Sequence, residues 1–150
     1  MNNIIGTLMG LGLIYMFVMI ICYIVYVIGL FKMFHKMGEP GWKAIIPFVN
    51  TYTLTDRTWD AKFFWISMLL MVVTNFFSGF TDNSLMMLLA RVAALAMFVL
   101  KICGNYKQSQ AFGCGIGMTL ILIFFPMIGT LLLGYGNYSY IGPQEKGRFI

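Results

Sequence analysis

Charge is scarce in this chain, and acidic charge most of all: only 10% of the 150 residues are Asp, Glu, Lys or Arg, and five are acidic. A soluble domain of this length could not hide 60% hydrophobic residues in one core, so a soluble globular fold is excluded. Histidine occurs once, and the three cysteines (Cys22, Cys103 and Cys114) show no CxxC or Cys/His ligand spacing. Zinc and dithiol motifs are therefore absent, and an odd number of cysteines cannot all pair internally. They read as small apolar packing residues. The N-terminus, Met-Asn-Asn, carries no basic residue, and no A-x-A-like site follows the first apolar run. A cleaved signal peptide is not expected, and the first span should be retained.

What is present is long apolar runs. Several reach 18 residues or more, enough to cross a hydrocarbon core of about 30 Å at 1.5 Å per residue. The expected fold is all-α: one integral membrane helical bundle over 1–150, with four transmembrane spans at about 7–31, 63–80, 85–103 and 116–133. Gly6 and Gly10 place two small residues on one face of the first span. Such spacing lets helices approach closely, but an ordinary glycine-bearing helix end is the commoner case. Pro126 should kink span four and free a carbonyl near mid-membrane.

The most distinctive stretch is Gly38 to Asn50, G-E-P-G-W-K-A-I-I-P-F-V-N. Gly38, Pro40 and Gly41 break the helix, Trp42 suits the headgroup region, and Pro47 interrupts a run too short to cross a bilayer. A surface-lying helix within 38–62 is preferred to a shallow re-entrant loop. Irregular backbone at membrane depth must be buried in protein or line a wet cavity, whereas surface placement needs no such support.

Ten basic residues against five acidic would suggest nucleic acid in a soluble protein. Here they flank apolar runs, as the positive-inside rule expects, and no basic stripe with interleaved aromatics lies outside the spans. The partners expected are the lipid bilayer and a homo-oligomer or another membrane protein, with no nucleic acid. Lys32, Lys36, Lys43, Arg57 and Lys62 follow span one, and Lys101 and Lys107 follow span three. These two connections are assigned to the cytoplasm and both termini to the outside, although Lys146 and Arg148 in the tail argue mildly the other way.

Few side chains carry chemistry. Arg91 lies about seven residues into span three, where a cation is costly and is usually paired or faces a cavity. It is a candidate anion contact, against a side chain that snorkels to the interface toward Asp82. Asn50 and Tyr52, near a membrane boundary, and Asn75, within span two, complete the candidate binding residues, each with a commoner structural role. Asp56, Arg57, Asp60 and Lys62 with Glu39 and His35 could form an ion site, but surface charges of mixed sign are usually solvated pairs. His35 lies between two lysines and reads as interfacial. Thirteen methionines include Met16/Met19, Met33/Met37 and Met68/Met71 at helical spacing. No Met-x-Met cluster is backed by Cys or His, so gap-filling is favoured over Cu(I) binding. The glycine-rich entry to span four, beginning at Gly113, is no phosphate loop, because no Lys-Ser/Thr follows. No metal, cofactor or catalytic set is expected.

Three blocks resemble a family of small bacterial multi-span membrane proteins of unknown function: G-E-P-G-W-K-A-I-I-P-F-V-N-T-Y (Gly38–Tyr52), Q-A-F-G-C-G-I-G-M (Gln110–Met118) and G-Y-G-N-Y-S-Y-I-G-P (Gly134–Pro143). Its members are sometimes loosely labelled signal-peptidase-related. The resemblance implies a bacterial inner membrane and a helical multi-span fold, but no activity. A serine protease of that kind needs a nucleophilic serine with a lysine in reach at the outer surface. None of the serines (Ser67, Ser78, Ser84, Ser109 and Ser139) has a Ser-x-Met-x-Pro context, so an enzyme is not expected. The expected function is a non-enzymatic subunit, scaffold or immunity-type component. The alternative is a small oligomeric channel or transporter with Arg91 in or near its pathway.

Overall fold

Unbroken apolar sequence without internal proline gives three helices long enough to cross a bilayer. The computed structural model describes residues 2–79 and 84–143. Helix α1 covers Asn2–Lys36, α3 covers Ala61–Ser78 and α4 covers Ser84–Ala111. All three have the length and composition of membrane spans, and the described fold is entirely helical. The side chain of Asp60 starts α3 by accepting the Lys62 N–H at 3.0 Å, and α3 then packs along α4.

The ends of α1 and α4 share one device. Gly38 has φ +73°, its N–H donates to His35 O at 3.2 Å, and the Glu39 N–H donates to Phe34 O at 2.8 Å. Gly113 repeats it: φ +69°, Gly113 N–H to Gln110 O at 2.9 Å, and Cys114 N–H to Ser109 O at 2.9 Å. Both are Schellman caps, in which a left-handed glycine stops the helix and satisfies its last carbonyls. After each cap the chain turns back alongside the helix it has just left.

The first reversal shows where the segment after α1 packs. Gly41 lies against the ring of Phe31 with no room for a side chain, and Ala44 is buried in one cluster with Leu30 and Phe34. Tyr23 donates its hydroxyl to Ile45 O at 3.1 Å. Tyr23 sits 13 residues before Lys36, roughly 20 Å along α1 at helical rise. The path through the short 3-10 turn Gly41–Ala44 therefore runs back along α1 rather than away across the end of the bundle. Pro47 then opens α2 (Pro47–Thr58), at the one helical position where a missing N–H costs nothing. Asn50 pins this bend by donating to Ala44 O at 3.0 Å.

The second reversal corrects the fourth span. Residues 116–133 do not form one helix: α5 (Ile116–Phe124) and α6 (Pro126–Tyr135) are separated at Phe125, with φ −134° and ψ 66°. A residue before proline is pushed away from helical geometry, and proline cannot donate back into the preceding turn. A simple kink would leave Gly129 far from Leu122. Instead a Cβ on Gly129 would lie 2.6 Å from Leu122 Cδ2 and 3.2 Å from its Cα, so the chain has folded back. Ser109 donates to Gly115 O at 2.8 Å where α5 begins, beside the end of α4. Lys36 donates to Leu133 O, Gly136 O and Tyr138 O at 2.8, 2.7 and 3.0 Å, holding the end of α6 beside the end of α1. The Ile141 N–H donates to Ala111 O at 2.9 Å. Both termini were expected on one side because four crossings were expected. The described residues finish near the Lys36 end of α1.

The core lies at this same end. Leu30, Met33, Phe34 and Leu133 are fully buried there, together with Ala44, Ala111 and Leu122. The first part of α1 is bare: every residue from Leu11 to Ile24 is exposed. A Cβ on Gly6 or Gly10 would meet nothing within 4 Å among the described residues.

Candidate functional site: a chamber between the two reversals

Helix α4 continues to Ala111, two turns beyond the expected end of span three at Cys103. Lys101, Asn105 and Gln108 thus belong to one helix at i, i+4 and i+7 and share a face. That face is the shared wall of two adjoining, partly open pockets of about 440 Å3 and 460 Å3, the two lobes of an open chamber, each in the size range of small-molecule sites. Both lobes are lined by Tyr26 of α1, Leu54 of α2, and Lys101, Asn105 and Gln108 of α4. One lobe extends past Tyr23 and Cys22 to Pro126, Met127 and Thr130 at the second reversal. The other extends between α2 and α3, past Thr55 and Trp59 to Ser67 and Met71.

The polar groups in the shared wall are one cation, two amides and a phenol. No acidic side chain lines either lobe, and Lys101 has no ion pair among the described residues. The Asn105 Nδ2 is buried without a hydrogen-bond partner. The Gln108 Nε2 has only a weak contact with Met33 Sδ, at 3.9 Å. One partnerless buried amide nitrogen and one weakly engaged amide beside a cation favour an anion or a strong acceptor.

The residues expected to bind do not meet here. Arg91 is exposed on α4 and lines neither lobe; Asp82, its expected partner, lies outside the described residues. Asn50 spends its amide on Ala44 O and accepts from Thr51 Oγ1 at 2.9 Å. Tyr52 packs edge-on against Phe64 at 5.3 Å, and Asn75 donates to Met71 O of its own helix at 2.7 Å. All three are structural in what they touch. No group of three or more His, Cys, Asp or Glu able to hold a metal occurs among the described residues.

The expected ion cluster forms only in part, and it fastens the first reversal. Glu39, 8% exposed, accepts from Lys43 Nζ at 2.6 Å and from Arg57 Nη2. The Lys43 ammonium first, and then Arg57, hold its carboxyl below the usual range against the opposing effect of burial. Tyr140 donates its hydroxyl to Arg57 O at 2.5 Å, tying the chain end to the same latch. Asp60 and Lys62 stand apart at the start of α3, 3.8 Å from each other. His35 packs its ring against Phe31.

The pattern that defines one family matches residues 42–143. The chain belongs to DUF5684, a family of unknown function. The DUF5684 segment holds both proline-led reversals, α2 to α6, and the Lys101, Asn105 and Gln108 face; Tyr26 and the rest of α1 precede it. No curated protein and no solved structure matches this DUF5684 chain.

Lys101 could have been found from sequence. Its i, i+4, i+7 spacing with Asn105 and Gln108 is helical, and the first glycine in a turn-forming context after it is Gly113 rather than Gly104.

Proposed function

We propose that this protein is a non-enzymatic, membrane-embedded binding unit for a small anionic solute, acting as a transport component of a bacterial inner membrane. The observation that carries this reading is Lys101, an exposed, ion-unpaired cation in a span-like helix, lining both lobes beside the partnerless amide nitrogen of Asn105. Ionisable groups at such positions commonly mark ligand or ion sites. Two proline-broken reversals beside the chamber support it, since irregular backbone at membrane depth is tolerated where it lines a cavity. The proposed orientation puts the Lys36 end in the cytoplasm. Lys36, Lys43, Arg57 and Lys62 lie toward that end, and the tail residues Lys146 and Arg148, outside the described residues, follow Ile141, which is held there.

The test is thermal stability of the purified protein in detergent across a panel of small anions, because a bound ligand stabilises the folded state by mass action. At least one anion class should raise the Tm, and Lys101→Gln should remove that rise while Arg91→Gln leaves it intact. A flat response to every anion would refute the reading. An accessory-subunit role is the second reading, favoured by the exposed stretch Leu11–Ile24 on α1. A constant protein partner together with that flat response would establish it.

A further inference from the structure

The chamber has its charge and amides at its centre, while the hydroxyls along its arms (Thr51, Thr55, Thr58, Ser67 and Thr130) donate to carbonyls of their own helices and leave those walls mainly apolar. In one lobe Met68, Met97 and Phe98 continue the wall away from Lys101; in the other Met19 and Met127 do so. A water-soluble ion would leave those arms with nothing to bind. The arms also open sideways: Met19 is 52% and Phe98 60% exposed, and both lie on helices with the character of membrane spans. Lipid chains are the expected surroundings of such surfaces. A molecule could therefore reach Lys101 laterally, without crossing the charged end of the bundle.

We propose that the chamber binds an anionic amphiphile, with its carboxylate or phosphate headgroup at Lys101, Asn105 and Gln108 and its hydrocarbon in the lobes. This rests on the anion-binding reading above and narrows it to a ligand drawn from the bilayer. Charge complementarity selects the headgroup, since the shared wall offers a cation and amide donors and no carboxylate. The thioether and aromatic walls accept a flexible chain of no fixed shape. The anionic head can come from a free fatty acid or from a phospholipid, and the two differ in a testable way.

Trp59 reports on occupancy, because it is 2% exposed and lines the lobe between α2 and α3. Trp42 and Trp65 are 54% and 64% exposed and would respond to ordinary bilayer contact, so both are replaced by Phe. The full chain in nanodiscs is then titrated with dibromostearate, with phosphatidic acid bearing brominated chains, or with the matching brominated phosphatidylcholine. Bromine quenches an indole that it touches. Saturable quenching by stearate alone identifies a carboxylate head, and by phosphatidic acid a lipid phosphate. In either case Lys101→Gln should raise the half-saturation concentration about tenfold. Lys101→Arg should restore it, and Asn105→Leu, a second variant in case Lys101→Gln does not fold, should shift it the same way.

Equal quenching by phosphatidylcholine, an unshifted curve for Lys101→Gln, or no quenching would each overturn the proposal. If quenching fails while inorganic phosphate or acetate still raises the Tm, the amphiphile is refuted and the anion-binding reading stands. If neither probe acts, both are refuted.

Discussion

The backbone of Gly134 rests on that of Gly29: a Cβ at position 134 would lie 2.6 Å from Gly29 O, and one at position 29 would lie 2.9 Å from Leu131 N. Here α1 and α6 meet backbone against backbone, which brings the returning helix near enough for Lys36 to reach three carbonyls at its end. Neither atom facing the missing side chains is the flexible tip of a residue, so the contact cannot relax cheaply. Gly134→Ala should therefore destabilise the protein by about 1–3 kcal/mol, as overpacking does. Gly10→Ala, where nothing lies within 4 Å, should be neutral or slightly stabilising through helix propensity. Thermal melting of the two variants in the same detergent checks the contrast. Equal Tm values would mean that α6 does not lie on α1 as described.

Three of the four expected spans were legible because unbroken apolar length is a strong signal and needs no tertiary knowledge. The division of the fourth into two helices is not legible, for a physical reason. Residues 116–133 are as hydrophobic as a span, and hydropathy cannot distinguish one crossing from a hairpin of two half-length helices. Pro126 marks the break in both readings; the small residue that permits folding back, Gly129 against Leu122, acts across a contact invisible to local pattern. The first reversal was weighed but not preferred, since the Tyr23 bond to Ile45 O joins residues 22 apart. Attention fell on Arg91 because it interrupts an apolar run. With span three expected to end at Cys103, Lys101 reads as an interfacial lysine that only sets orientation.

The Glu39 latch gives a pH dependence of defined sign. Its carboxyl titrates below the ordinary value of 4.5, chiefly through Lys43, so the folded state favours the charged form. A depressed folded pKa means that the latch contributes fully above the unfolded value and is lost as pH falls through the folded one. The Tm should thus fall as pH drops below about 4.5. Arg57 is 46% exposed and solvent screens its share, so the whole latch is worth about 1–2 kcal/mol. Glu39→Gln should lower the Tm at pH 7 and flatten the acid limb, and melting curves between pH 3.5 and 7 for both proteins measure this. An acid limb of unchanged steepness in Glu39→Gln would assign it to other carboxylates.

The same chain length can place Tyr138 on either side of a membrane, and the two outcomes separate a fourth crossing from a reversal. If 116–133 crossed the bilayer, position 138 would emerge on the side where α1 begins. The hydrogen bonds of Lys36 to Gly136 O and Tyr138 O, and of Ile141 to Ala111 O, place it with the ends of α1 and α4 instead. Single cysteines can be introduced at Gly6, Arg57 and Tyr138, all exposed, after Cys22, Cys103 and Cys114 are changed to Ala. A membrane-impermeant maleimide applied to sealed vesicles of known orientation should then label positions 57 and 138 from one face and position 6 from the other. Labelling of 138 together with 6 would restore the four-span arrangement. It would also remove the second reversal from the chamber wall, and with it Pro126, Met127 and Thr130 as lining residues, so this experiment bears on the binding site as directly as on the fold.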